Sequence, residues 1–152
     1  LAFGLERLAR RAAGANVCGF IVPDLPFEES EELRSVLAAH QIALVQMVTP
    51  VTGGERLAKL AAASQGFVYA VTMTGTTGKN VASPEDIAAY LERVRSAATV
   101  PVCAGFGIRN REQVDKLRGM VDGVIVGSAL VEVLERGESA REYLAGLRPP
   151  RR

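Results

Sequence analysis

The stretch Val100-Pro-Val-Cys-Ala-Gly-Phe-Gly-Ile108, followed further along by Val124-Ile-Val-Gly-Ser128, decides the fold. Each part is a short apolar run, typical of a β-strand, that ends on glycine and leads into a helix-like segment. Glycine lets the backbone approach a ligand closely because it has no Cβ atom. A helix start offers free N–H groups to an anion. Two such endings in succession predict one phosphate held between neighbouring loops, provided that the rest of the chain is a row of parallel β–α units.

Five apolar runs along the chain are predicted to be strands, and a helical pattern follows each of them. The runs cover residues 17–22, 42–48, 66–71, 100–104 and 123–126. The first run has no polar alternation, which is typical of a strand buried on both faces of a parallel sheet. Strict alternation of strands with helices implies right-handed crossovers and parallel pairing.

Two closures of such a sheet fit the pattern. An open, doubly wound five-stranded domain suits a chain of 152 residues. A (β/α)8 barrel needs about 250 residues, so in that case the chain would be its last five units.

The predicted helices carry clear end signals. Ser83-Pro-Glu-Asp86 predicts a helix start with Ser83 as the N-cap and proline at the first position. Asn110 followed by Gln113 predicts a second, reciprocally capped start. The single histidine, His40, is interpreted as a helix C-terminal residue rather than a catalytic base, because His⁺ suits that end of the helix dipole.

Composition and charge exclude several classes of function. The 18 Lys and Arg residues nearly balance the 17 Asp and Glu residues, so no basic field for nucleic acid is expected. No apolar run approaches the roughly 20 residues that cross a bilayer, and no signal-peptide pattern is present. Cys18 and Cys103 lie in apolar runs without metal-ligand spacing, so we expect buried free thiols and no metal site. We therefore expect a soluble, cytoplasmic protein.

Polar and glycine-rich clusters follow every predicted strand, at the edge where both candidate folds bind ligands. They contain Asp24, Thr49-Pro50, Thr72 to Gly78, Gly105-Phe-Gly107 and Gly127-Ser128. Gly107, Gly127 and Ser128 lie where the last two strands of a barrel bind phosphate, although such glycines also simply make tight turns.

For three of these clusters the sequence is compatible with two different roles. The segment Gly75-Thr-Thr-Gly78 lacks the Gly-Lys-Ser/Thr ending of a P-loop, so it is either a mobile lid or a solvated loop. Phe106 either stacks on a flat substrate or closes the barrel mouth. For Asp24 a turn or an interface role is favoured over that of a base.

Four motifs together give the sequence a resemblance to the tryptophan synthase alpha chain family, in that family's order and across essentially the whole chain. They are Val22-Pro-Asp-Leu-Pro-Phe-Glu-Glu-Ser30, Gly66-Phe-Val-Tyr69 with Thr72-Met-Thr-Gly-Thr-Thr-Gly78, Ala104-Gly-Phe-Gly-Ile108 and Asp122-Gly-Val-Ile-Val-Gly-Ser-Ala129. The departures are small: the lid has Thr76 where the family more often has Val.

The resemblance implies that residues 1–152 are the C-terminal part of a single (β/α)8 barrel domain that cleaves indole-3-glycerol phosphate to indole and glyceraldehyde 3-phosphate. By the same resemblance, each group of site residues has an implied role. The phosphate would be held by Gly78, Gly107, Gly127 and Ser128; the indole pocket would comprise Phe106, Tyr69, Ile21 and Met47; Thr77 would be a supporting lid residue; the partner face would comprise Pro23, Asp24 and Pro26 with Thr49 to Thr52, including Pro50.

The resemblance also implies the partners. The expected assembly is an alpha2-beta2 heterotetramer, and pyridoxal phosphate would belong to the beta chain. No cofactor is expected in this chain.

The family's two catalytic carboxylates, a Glu and an Asp, are expected upstream of Leu1. General acid–base cleavage needs such groups within hydrogen-bond reach, so these 152 residues alone are expected to bind and gate without turnover. Five strands of a barrel also leave open edges, so we expect self-association, aggregation or a longer parent chain. The alternatives are another phosphate-binding barrel enzyme, or a non-catalytic partial barrel that binds a phosphorylated ligand or a partner.

Overall fold

The computed structural model describes residues 3–72, 83–105 and 107–148. Helices and parallel strands alternate through these ranges, as the sequence predicts. The strands are β1 (Gly19–Ile21), β2 (Ala43–Val48), β3 (Val68–Val71), β4 (Val102–Gly105) and β5 (Gly123–Ile125). The helices are α1 (Leu5–Gly14), α2 (Glu31–Ala39), α3 (Gly54–Ala63), α4 (Pro84–Ala97), α5 (Arg111–Lys116), α6 (Ser128–Glu135) and α7 (Ala140–Leu147), with a short 3-10 turn at Phe27–Glu29.

The order of the strands decides between the two closures. The five strands pair in parallel in chain order, β1-β2-β3-β4-β5. A doubly wound sheet instead reverses its strand order at a switch point. Right-handed crossovers between consecutive strands place the connecting helices on one side of the sheet. The sheet is therefore half of a (β/α)8 barrel, and the doubly wound alternative is wrong.

The hydrophobic core lies between the sheet and these helices. Three apolar residues of α3, Leu57, Leu60 and Ala61, are buried. A larger cluster packs β2 to β5 against α3 and α4, and a smaller one packs α1 and α2 beside β2. The larger cluster includes Val48, Val68, Tyr90, Leu91, Val94 and Val102; the smaller includes Ala9, Leu33, Leu37, Ile42 and Leu44.

The predicted helix ends are confirmed. Ser83 and Asp86 form a reciprocal capping box at the start of α4, and Asn110 and Gln113 form another at the start of α5. His40 is the C-cap residue of α2, and its Nε2 atom lies 3.0 Å from a carboxylate oxygen of Glu6 in α1. The histidine therefore joins two helices, as a structural residue.

The first strand differs from its prediction. Only Gly19–Ile21 is a strand, Ile21 is 40% exposed, and Cys18 is exposed. Within the described residues β1 pairs with β2 alone, so its other edge and one face have no covering layer. The predictions that this run is buried on both faces and that Cys18 is a buried thiol are therefore wrong.

The second cysteine is half-buried, so its prediction is partly right. Cys103 lies on β4, where burial, and then the nearby Asp122 carboxylate, raise the pKa of its thiol. A raised pKa disfavours the reactive thiolate, which agrees with an inert packing role.

Glycines shape the concave face of the sheet, opposite the helices. Side chains alternate between the faces of a strand, and Val68, Ala70, Val102 and Ala104 belong to the core on the helix side. Tyr69 and Gly105 therefore face the concave side, where a Cβ atom on Gly105 would stand 2.6 Å from the Tyr69 ring. The absence of a side chain at Gly105 is what allows the Tyr69 ring to lie across β4.

Substitution of Gly105 by alanine is expected to displace the Tyr69 ring and lower the free energy of unfolding by about 1–3 kcal/mol, the usual cost of overpacking. Urea denaturation followed by circular dichroism measures this change. The control is Gly14→Ala in α1, where the residues that the structure describes place no packing neighbour within 4 Å of the added Cβ; alanine there is expected to stabilise by up to about 1 kcal/mol. Equal stability of Gly105→Ala and the parent chain would contradict the proposed packing.

Candidate ligand site at the carboxyl edge of the sheet

The carboxyl ends of β3, β4 and β5 meet at a cavity of about 170 Å³. It brings together Gly107, Gly127 and Ser128, which were predicted to bind phosphate, with Tyr69, which the family resemblance assigned to the indole pocket. The other lining residues are Ile108, Arg109, Ile125 and Ala129.

The loop after β4 makes a sharp turn at Gly107. The φ angle there is +76°, in the left-handed region that favours glycine. Just before the loop, the carbonyl oxygen of Gly105 accepts hydrogen bonds from both the backbone N–H and the side-chain hydroxyl of Thr72, at 3.0 and 3.1 Å. The end of β3 therefore holds the end of β4 in place beside the cavity.

The second wall of the cavity is the start of α6. The carbonyl of Gly127, the N-cap residue, accepts hydrogen bonds from the N–H groups of Leu130 and Val131, at 2.9 and 3.1 Å. The first N–H groups of a helix have no acceptor within the helix, and the positive end of the dipole lies at the same place. Because Gly127, Ser128 and Ala129 line the cavity, this helix start is available to an anion.

Arg109 also lines the cavity, and the sequence reasoning did not identify it. Its guanidinium forms an ion pair with Glu132 of α6. Its backbone N–H donates to the side-chain oxygen of Gln113 at 2.7 Å, and its carbonyl accepts from the hydroxyl of Tyr143 in α7 at 2.9 Å. The one sequence signal was a cation placed directly after the Gly-Phe-Gly-Ile run.

The predicted indole-pocket residues separate into two places. Tyr69 is half-buried at the cavity, where burial raises the pKa of its phenol, so the hydroxyl stays protonated at neutral pH. Met47 is the register partner of Tyr69 on β2, and Ile21 pairs with Val45 on β1. Neither Met47 nor Ile21 lines the cavity around Tyr69.

A second cavity, of about 360 Å³, opens at the carboxyl ends of β1 and β2. It is lined by Met47 and by four residues of the predicted partner face, Pro23, Asp24, Pro26 and Thr52. Asp24 is exposed in a turn closed by a 3.3 Å hydrogen bond from Leu25 N–H to the Val22 carbonyl, which agrees with the turn reading.

The other predicted partner segment, residues 49–52, forms a closed turn. The backbone N–H of Thr49 donates to the Thr52 hydroxyl at 2.9 Å. Pro50, which lies between these two residues in the sequence, is half-buried. This turn follows β2 directly, as predicted. Three site predictions, Thr77, Gly78 and Phe106, lie outside the described residues.

The chemistry of the described lining is that of a binding site. Its polar groups are the hydroxyls of Tyr69 and Ser128, the guanidinium of Arg109 and backbone amides, and the described lining contains no carboxylate or histidine. No group of three His, Cys, Asp or Glu side chains within the described ranges is placed to hold a metal ion. None of the helices described is long and apolar enough to cross a membrane.

Comparison with known proteins gives one consistent family. A family profile described as tryptophan synthase alpha chain matches residues 1–148. The tryptophan synthase alpha chain of Carboxydothermus hydrogenoformans is 44% identical over 135 residues, which cover 89% of this chain and 51% of the relative. That of Solidesulfovibrio magneticus is 45% identical over 145 residues, covering 95% and 57%.

Solved structures agree with the sequence comparison. Tryptophan synthase subunit alpha from Campylobacter jejuni superposes with a TM-score of 0.82 at 32% identity, covering 96% of this chain and 58% of that one. A chain from the tryptophan synthase a2b2 complex of Pyrococcus furiosus gives a TM-score of 0.83 at 32% identity, covering 96% and 61%. The chain thus spans about half the length of the curated relatives it matches.

Substitution of Gly127 by valine is expected to weaken phosphate-ester binding at least about tenfold, since a side chain would occupy the space beside the helix N–H groups. Among the described residues, no atom lies within 4 Å of a Cβ built at Gly127, and the circular dichroism spectrum of the variant checks that its fold is retained. Titration calorimetry with sn-glycerol 3-phosphate measures the effect. The matched control is Gly53→Val, at the N-cap of α3, where the Cβ position is also open; unchanged affinity in Gly127→Val would refute the site.

Proposed function

The chain belongs to the tryptophan synthase alpha chain family, and we propose that it supplies the substrate-binding part of a lyase in tryptophan biosynthesis. The reaction cleaves indole-3-glycerol phosphate to indole and glyceraldehyde 3-phosphate. The 152 residues are the C-terminal part of a single (β/α)8 barrel domain in this proposal. The proposed location of the reaction is the cytoplasm.

The observation that carries the proposal is the meeting of two glycine turns and one aromatic ring at a single cavity. Gly107 and the Gly127-Ser128 turn line the cavity together with Tyr69, which lies on the concave face of the sheet. A substrate with a phosphate at one end and a flat indole ring at the other needs both kinds of contact. The phosphate binds at the start of α6, and the ring packs toward Tyr69 and the apolar concave face.

The phosphate anchor has a mechanistic purpose. Cleavage breaks the bond between indole C3 and the adjacent glycerol carbon, with a proton delivered to C3 and another removed from the hydroxyl on that carbon. Binding energy from a remote phosphate orients the reacting bond and so contributes to the rate. In this proposal Gly78, Gly107, Gly127 and Ser128 hold the phosphate, and Phe106, Tyr69, Ile21 and Met47 contact the indole.

The acid–base groups come from elsewhere in this proposal. The described lining of the cavity has no carboxylate, whereas proton transfer at carbon needs a positioned acid or base. We place the family's Glu and Asp in the portion of the relatives that the match does not cover. Thr77, which follows β3 in the sequence, supports the Asp in this proposal.

The partner in this proposal is a tryptophan synthase beta chain, in an alpha2-beta2 assembly that carries pyridoxal phosphate on the beta side. One structural relative was solved as a tryptophan synthase a2b2 complex. The docking face comprises Pro23, Asp24 and Pro26 together with Pro50. The first three are exposed around the second cavity, and Pro50 follows the neighbouring strand on the same edge.

A chimera tests this function directly. The 152 residues replace the matched portion of the Campylobacter jejuni alpha subunit, so that the relative supplies the unmatched portion, and indole release from indole-3-glycerol phosphate is measured. We expect indole release by the chimera and its loss in the Gly127→Val chimera. A folded chimera that binds sn-glycerol 3-phosphate but releases no indole would overturn the lyase assignment and favour a binding role.

The 152-residue chain alone is expected to release no indole above the protein-free rate, because its described site holds no acid–base pair. The same sample should still bind sn-glycerol 3-phosphate. Turnover by the chain alone would contradict the assignment of the chemistry to other residues. Asp24→Asn would then test a carboxylate that follows β1 at this edge of the sheet.

A further inference from the structure

We propose that Arg109 makes this site selective for doubly charged phosphate monoesters over singly charged esters of the same shape. The inference rests on the proposed function, in which the cavity between Gly107 and Gly127 binds the phosphate. It adds a residue and a charge preference that the glycine turns do not supply.

Hydrogen bonds at both the backbone N–H and the backbone carbonyl hold Arg109 in position. Its N–H donates to Gln113, whose side chain also accepts from Asn110 N–H as part of the cap of α5. Its carbonyl accepts from the Tyr143 hydroxyl at 2.9 Å. The loop that begins at Gly107 is therefore tied to α5 and α7, and the base of the Arg109 side chain stays beside the cavity.

The guanidinium group of Arg109 is also fixed by a contact with another element. The Nη2 atom of Arg109 donates to Glu132, one helical turn after Ser128 on α6. The ion pair thus bridges the two walls of the cavity. Within residues 3–72, 83–105 and 107–148, the Nε and Nη1 atoms of Arg109 have no hydrogen-bond partner.

Arg109 is the only charged side chain among the described residues that line the cavity. Backbone N–H groups and the Ser128 hydroxyl are neutral donors that bind either ester, and the dipole of α6 adds only a partial positive charge. A guanidinium is always protonated, and its planar donors match phosphate oxygens. Arg109 therefore supplies the largest share of the attraction to the second negative charge. The Glu132 carboxylate and solvent reduce this attraction, since about half of the side chain is exposed.

The test compares two ligands that differ in charge and scarcely in shape, at pH 8. These are sn-glycerol 3-phosphate, with two negative charges, and the corresponding glycerol sulfate monoester, with one. Calorimetry is expected to show that the parent chain binds the phosphate about tenfold more tightly than the sulfate. This factor corresponds to the lower end of the free energies found for hydrogen bonds to charged groups. Arg109→Met is expected to reduce this preference to about twofold, while its circular dichroism spectrum stays that of the parent chain.

Two further variants separate charge from general effects. Arg109→Lys keeps the positive charge and is expected to keep most of the preference. Arg136→Met removes an arginine from the far end of α6, where it pairs with Glu138, and is expected to leave the preference unchanged. A lysine variant as unselective as methionine, or an effect of Arg136→Met as large as that of Arg109→Met, would overturn the inference.

The failure of this inference is distinguishable from failure of the proposed function. If Gly127→Val abolishes binding of both esters but Arg109→Met keeps the tenfold preference, the phosphate site stands and the role of Arg109 is refuted. If Gly127→Val leaves both affinities unchanged, the ligand binds elsewhere and both proposals fall.

Discussion

Parallel pairing in chain order is the constraint on which the rest of this structure depends. Because all pairs are parallel, every strand ends at the same edge of the sheet, and because each strand lies beside the next one in sequence, consecutive strand ends are neighbours. The turn at Gly107 and the turn at Gly127 are separated by a helix and a strand along the chain, yet they line one cavity. A sheet with a switch point would have separated at least some of these strand ends.

Much of this arrangement follows from local sequence patterns. The strand runs, the capping boxes at Ser83 and Asn110 and the glycine turns depend on neighbouring residues, and the structure contains all of them. The family motifs were sufficient to choose the barrel over the doubly wound sheet. What local patterns do not encode is which strand lies at an edge, and this is why the exposure of Ile21 and Cys18 was mispredicted.

The residue that sequence reasoning missed at the site is explained in the same way. Arg109 meets Glu132 and Tyr143 across separations of 23 and 34 residues. No periodicity links these positions, since each lies on a different element. The grouping of Tyr69 with Met47 and Ile21 came from family resemblance. The structure places all three on one concave face but lines the cavity with Tyr69 alone.

Consecutive pairing also has a consequence for how this half-barrel forms. Each strand contacts a partner only one β–α unit away, as in the register of Gly19 with Ala43 and of Val68 with Val102. Closing contacts across 24 or 34 residues costs less chain entropy than pairing strands that lie further apart in the sequence. As in a repeat protein, a new unit needs only the preceding one as its template. Assembly can therefore advance from unit to unit as the ribosome releases the chain.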